Sequence, residues 1–266
     1  MLVPVLCMLV SFVPSILLFF YLRNLRRDDE KYRSSCKRLF WRGILCSFLV
    51  ALLALVVNLL WNLIVPKTVP AIVRDAFHAF ILAALIEEFV KMRTAGKTIR
   101  KNADTLTWMD CIAFTAIVGI GFQTIESVVY MVESNAIQIL VRGFTLGHPA
   151  YGMLMGYLTG KAIYRRKKSF RFLAFFLPFV IHGLYDFSLS DEFQALNDNL
   201  VFVPVIIVIV ELFILFRMLF LIRKERRGTI FMTPLRAEQE TAEEKDFREQ
   251  EDEIPAGGIG DPDDRR

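Results

Sequence analysis

A chain of 266 residues that is 55% hydrophobic, holds 24 phenylalanines and has a mean hydropathy of +0.44 does not have the composition of an ordinary water-soluble domain. Its apolar residues fall in long runs and its charges in the gaps between them, so the expected class is an all-α polytopic membrane protein. The formal net charge of +4 excludes little by itself, because the basic residues are concentrated in particular loops, and nothing in their arrangement points to a nucleic-acid partner.

Seven runs are long and apolar enough to cross about 30 Å of hydrocarbon at about 1.5 Å per residue. In chain order they are Leu2–Leu22, Gly43–Val65, Ala71–Met92, Trp108–Val132, Ala136–Tyr164, Phe170–Leu189 and Leu200–Ile222. The first lacks a basic leader and a small-residue cleavage site, and it is long enough to span, so it reads as a retained helix and not a signal peptide. Cys7, Cys36, Cys46 and Cys111 show no C-x-x-C spacing and suggest neither a disulfide framework nor a thiolate metal site.

The loops alternate in charge. The first carries Arg23, Arg26, Arg27, Lys31, Arg33, Lys37 and Arg38, the third Arg93, Lys97, Arg100 and Lys101, and the fifth Lys161, Arg165, Arg166, Lys167, Lys168 and Arg171. Arg223, Lys224, Arg226 and Arg227 follow the last run, whereas the second loop offers only Lys67 and the sixth is acidic through Asp191, Glu192 and Asp198. The positive-inside rule then gives a seven-helix protein of the cell (cytoplasmic) membrane, with its N-terminus outside and its C-terminus in the cytoplasm. Residues 1–227 form the expected transmembrane domain. Residues 228–266, rich in Glu and Asp, form an acidic tail with too little apolar surface to offset its ordering entropy.

The informative residues are the polar ones inside these runs, because a carboxylate near a bilayer centre costs about 2.5–3.5 kcal/mol even on the mildest insertion scale. Glu87 and Glu88 end the third run and are followed by Lys91, which on a helix reaches Glu87 at i, i+4 and Glu88 at i, i+3. The bland alternative has all three reaching water at the cytoplasmic interface. Glu126 follows Gly119 and Gly121 in the fourth run, and counting from the run's centre puts it roughly 7–9 Å towards the outside, an awkward offset from Glu87. His148 lies near the centre of the fifth run beside Pro149, which is expected to kink the helix, and Gly152, Gly156 and Gly160 make a small-residue face at four-residue spacing. In the sixth run His182 and Asp186 share a face at i, i+4. The aspartate can fix one imidazole nitrogen and leave the other for a metal or a proton. His78, nine residues before Glu87, is out of phase with it and is expected to be uninvolved, and Asn58 and Asn62 are expected to pair with neighbouring helices.

Four short patterns now stand in order on four successive runs. They are Glu87-Glu88-Phe89-Val90-Lys91, Phe122 through Glu126, His148, and His182 through Asp186. Together they resemble the PrsW family of intramembrane proteases, within the wider CAAX-protease and bacteriocin-processing group, over about residues 71–190. The resemblance implies hydrolysis of peptide bonds in membrane-anchored regulatory proteins such as anti-sigma factors. It implies Glu87, Glu88, Glu126, His148 and His182 as catalytic residues, with Lys91 and Asp186 supporting. Two mechanisms fit. In one, His148, His182 and a carboxylate hold Zn²⁺ while a second glutamate activates water. In the other, a glutamate activates water unaided and the histidines meet the oxyanion. The absence of an H-E-x-x-H pair leaves only a slight lean to the metal version, to which the family's classification adds weight. The implied partners are a membrane-anchored protein substrate and the lipid bilayer. A proton- or ion-coupled transporter and a non-catalytic membrane scaffold are the rival readings of the same polar residues.

Overall fold

The computed structural model describes residues 2–102, 106–133, 144–164 and 167–225, and all regular structure among them is helical. The expected tail at 228–266 lies outside the described residues, as does the stretch 136–143 of the fifth predicted run. The helices are α1 (Leu2–Arg23), α2 (Glu30–Ile64), α3 (Ala71–Phe77), a π-helical stretch (His78–Leu85), α4 (Ile86–Lys101), α5 (Trp108–Glu133), α6 (Gly147–Tyr164), α7 (Lys168–Ser188), the short α8 (Asp191–Gln194), a 3₁₀ turn (Asp198–Phe202) and α9 (Val203–Glu225).

Among the described residues, five helices are long and apolar enough to cross a membrane: Val5–Arg23, Glu30–Ile64, Trp108–Val129, Lys168–Ser188 and Asp198–Lys224. The chain is therefore a multi-pass membrane protein. The other two predicted runs correspond to the rod from Ala71 to Lys101 and to α6, which carry polar site residues and glycines in place of part of the apolar content.

Hydropathy located the runs better than their ends. α2 begins at Glu30 and not at Gly43, because Asp29 caps it by accepting the Tyr32 backbone N–H at 2.9 Å. Its 35 residues extend about 50 Å at the usual helical rise, well beyond one hydrocarbon core. Outside lipid a helix carries no hydropathy mark. The buried ends of α1, α2 and α5 are tied together there: Tyr32 Oη donates to Leu22 O at 2.9 Å, and Arg26 pairs with the fully buried Asp110 at 2.5 Å.

α5 is the central post. Of its span 67% is buried inside the protein, against 17% for α2, so α5 packs protein on nearly every side while α2 presents an apolar face outward. Leu45, Phe48, Leu52, Phe213 and Phe216 are among the many large exposed apolar side chains of α2 and α9. A patch that size is unfavourable in water and is at home against lipid. α5 meets α6 along the predicted glycine face, where a Cβ on Gly156 would stand 2.3 Å from the Cys111 carbonyl oxygen. It meets α2 where a Cβ on Gly121 would stand 2.2 Å from the Phe40 carbonyl oxygen. Backbones this close gain dispersion contacts that lipid cannot replace.

Two local expectations are corrected. Asn62 donates to Asn58 at 3.4 Å along the exposed side of α2, so the pair serves itself and not a neighbouring helix. Pro149 is not a mid-helix kink, because α6 starts at Gly147 and the proline sits in the first turn, where its missing N–H costs nothing. The interruption lies instead at Leu146, whose φ of 52° is left-handed. The four cysteines are free, in line with their spacing.

Candidate active site

The glutamate pair is delivered by an irregular helix. Between His78 and Leu85 the backbone widens into π geometry, two residues before Glu87, and α4 resumes regular winding at Ile86. Such stretches are rare and occur mostly at functional sites. Glu88 is fully buried and Glu87 is 12% exposed, so they occupy different environments although adjacent in sequence.

Lys91 is the hub. Its Nζ donates to Glu88 Oε1 at 2.9 Å and Glu87 Oε2 at 3.1 Å, contacts His148 Nδ1 at 2.7 Å, and lies 4.2 Å from the centroid of the Phe122 ring. One cation thus faces both glutamates, the imidazole and an aromatic face, all shielded from solvent. An ammonium has no lone pair, so in its contact with Lys91 the Nδ1 of His148 accepts. Nε2 of His148 then carries the proton and donates to Glu126 Oε2, with which it is hydrogen-bonded.

Glu126 therefore joins the site, despite the outward offset that counting along its run suggested. α5 and α6 run antiparallel, so a residue late in α5 meets one at the start of α6. His148 sits at that start and not at a helix centre.

His182, from α7, completes the arrangement. Its Nδ1 lies 3.0 Å from Glu88 Oε1 and its Nε2 lies 3.2 Å from Asp186 Oδ2, which is the expected i, i+4 pairing. The two histidine rings stand edge to face with centroids 5.2 Å apart. Glu87, Glu88, His148 and His182 each offer a ligand atom, and these atoms all lie within 4.8 Å of one another. Glu87 Oε2 is 3.9 Å from both His148 Nδ1 and His182 Nε2. Two imidazoles and two carboxylates are a donor set that suits zinc. Among the described residues, Oε2 of Glu88 is buried with no hydrogen-bond partner, an acceptor that a cation or a water would satisfy. The residues present fit a divalent metal. His78 is exposed and stands apart from this cluster, as its phase predicted.

Beside the cluster is a cavity of about 30 Å³, lined in part by Glu126, His148, Tyr151, His182, Asp186 and Glu211. That is room for about one water molecule, enough for a hydrolytic nucleophile and far too little for a peptide. Tyr151 and Glu211 were not singled out from the sequence. Tyr151 gives no sequence signal. Glu211 does, since it interrupts the apolar run Val203–Phe216 in the same way that Glu87 and Glu88 interrupt theirs.

A multi-pass helical membrane protein that buries glutamates, histidines and a lysine in one cluster, with a small polar cavity beside it, has the makings of an intramembrane hydrolase. Comparison with known proteins gives the particular kind. Residues 36–213, more than half of the chain, match the model of the PrsW family of intramembrane metalloproteases. The chain is 28% identical over 179 residues to the protease PrsW of Geobacillus kaustophilus, covering 66% of this chain and 75% of that protein. It is 25% identical over 196 residues to the protease PrsW of Clostridioides difficile, covering 70% and 80%. With the protease PrsW of Shouchella clausii it shares 34% over 119 residues, covering 43% and 55%. No solved structure matches the chain. The chain belongs to the PrsW family and is an intramembrane protease. The match reaches past the 71–190 core on both sides, into α2 and α9, and so includes Glu211.

Proposed function

We propose that this protein hydrolyses peptide bonds of membrane-anchored regulatory proteins, of the anti-sigma-factor type, with a glutamate-activated water and the help of a metal ion. The observation that carries this reading is the convergence of Glu87, Glu88, His148 and His182, from three helices far apart in sequence, to within 4.8 Å. Isolated structural hydrogen bonds between membrane helices do not require such a density of titratable groups.

Roles follow from burial and contacts. His148, His182 and Glu88 are the residues that would hold the ion, His148 through the Nδ1 that now accepts from Lys91 and would have to be released by it. The ion would supply positive charge to polarise the scissile carbonyl. Glu87, the less buried of the adjacent pair, takes the proton as water adds to the carbonyl carbon. It then returns that proton to the departing amine. Lys91 keeps the two carboxylates from repelling each other. Glu126 and Asp186 orient the two histidines.

The test is metal removal. Purified protein should carry about one zinc per chain. Stripping the metal with a chelator should abolish cleavage of a membrane-anchored reporter, and added Zn²⁺ should restore it. Undiminished cleavage by metal-free protein would overturn the metal's role and leave the glutamate-only mechanism.

The loop charges support a seven-crossing arrangement in the cell membrane, with the N-terminus and the acidic 191–198 loop outside. Single cysteines introduced into that loop should react with an impermeant maleimide on intact cells. Labelling only after lysis would reverse the orientation.

A further inference from the structure

Glu211 is a carboxylate in the middle of an apolar helix, 1% exposed, and no role described so far uses it. A carboxylate held in such a place costs free energy, so what it contacts is informative. Its Oε1 accepts a hydrogen bond from the Tyr151 hydroxyl. Its Oε2 lies 3.2 Å from the position a Cβ would take on Gly147. Both contacts are on the first turns of α6, one on each side of His148. Just upstream is Leu146, in a left-handed conformation that costs a non-glycine residue about 1–2 kcal/mol and persists only where the surroundings hold it.

Tyr151 carries the contact onward. Its ring is stacked on that of His182, with centroids 5.1 Å apart and planes 22° apart, and meets the His148 ring edge-on at 6.1 Å. It is the one described side chain whose ring packs against both site histidines. A tyrosine free to swing about χ1 and χ2 would leave both imidazoles less constrained. Hydrogen-bonded to Glu211, it is fixed.

We propose that Glu211 is a positioning residue for the hydrolytic site, acting through Tyr151 to hold His182 and His148 in register and through Gly147 to hold the first turn of α6. The inference rests on the protease reading given above and adds α9 to the helices that build the site. A Cβ on Gly147 would crowd the Glu211 carboxylate, which would have to give by a few tenths of an ångström.

The test is steady-state cleavage of a membrane-anchored reporter by full-length protein in detergent, with thermal melting measured on the same samples. Tyr151→Phe and Glu211→Leu should each lower kcat by about 10- to 100-fold with KM changed less than about twofold, the size expected when a ligand's orienting partner is removed. The double variant should be no slower than the slower single one, because both changes break the same link. Glu211→Gln keeps an acceptor for the tyrosine and should recover most of the rate lost in Glu211→Leu. If Glu211→Leu fails to fold, Tyr151→Phe and Glu211→Gln carry the test, since neither empties space.

Losses that multiply in the double variant, a rise in KM at constant kcat, or full activity in Tyr151→Phe would each overturn the proposal. Failure of the underlying protease reading looks different. In that case the wild type itself does not cleave the reporter.

Discussion

Replacing Glu87 with Gln should lower kcat for a membrane-anchored substrate by about 10²- to 10⁴-fold, the range that a positioned general base contributes. The amide has the shape of the carboxylate and can still accept the Lys91 N–H that Glu87 Oε2 accepts at 3.1 Å, so insertion and melting should be nearly unchanged. What is lost is basicity, at the one member of the glutamate pair that is not fully enclosed. Glu88→Gln should behave differently. Its carboxylate lies between Lys91 and His182 at 2.9 and 3.0 Å, with no exposure, so its neutralisation should cost stability as well as rate. Product formation followed on gels, with melting in the same detergent, separates the two. If Glu87→Gln retained a kcat within about tenfold of wild type, Glu87 would not be the base and Glu126 would be the next candidate.

How much of this site was legible in the sequence depended on whether the signal was local. The i, i+4 pairs Glu87–Lys91 and His182–Asp186 needed only helical spacing, and both form as spaced. Counting from the centre of a run sets Glu126 apart from Glu87 only because it assumes that partners sit at equal depth. The antiparallel α5 and α6 instead bring a late residue of one to an early residue of the other. The interruption near His148 was expected at Pro149, the residue that marks itself, yet it falls on Leu146, which does not. The π stretch that turns Glu87 and Glu88 towards the histidines is spelled His78-Ala-Phe-Ile-Leu-Ala-Ala-Leu85, a string equally suited to an α-helix. Glu211 obeys the same rule as Glu87, but no polar residue stands one helical turn away to pair with it.

Lys91→Met should destabilise the protein by about 3–5 kcal/mol, the usual cost of removing one partner from a buried ion pair. The cost arises because Glu88 is left fully buried without its ammonium partner, while Glu87 next to it repels it. Removing the opposing charge should repair this. The double variant Lys91→Met/Glu88→Gln should regain most of the lost stability, since a neutral pair of similar volume avoids the desolvation of both charges, and it should still be inactive. Unfolding in increasing denaturant, monitored in the same detergent for all four proteins, measures the coupling. A bound ion would enter this cycle directly, because the carboxylates that Lys91 neutralises are also ligand candidates. A divalent cation would supply a second counter-charge, so the penalty for Lys91→Met should be smaller in zinc-loaded protein than in stripped protein. If Lys91→Met cost nothing in the stripped protein, the lysine would not be what holds the glutamates charged in the membrane. The 2.7–3.1 Å contacts around its Nζ would then be consequences of packing and not the electrostatic centre of the site.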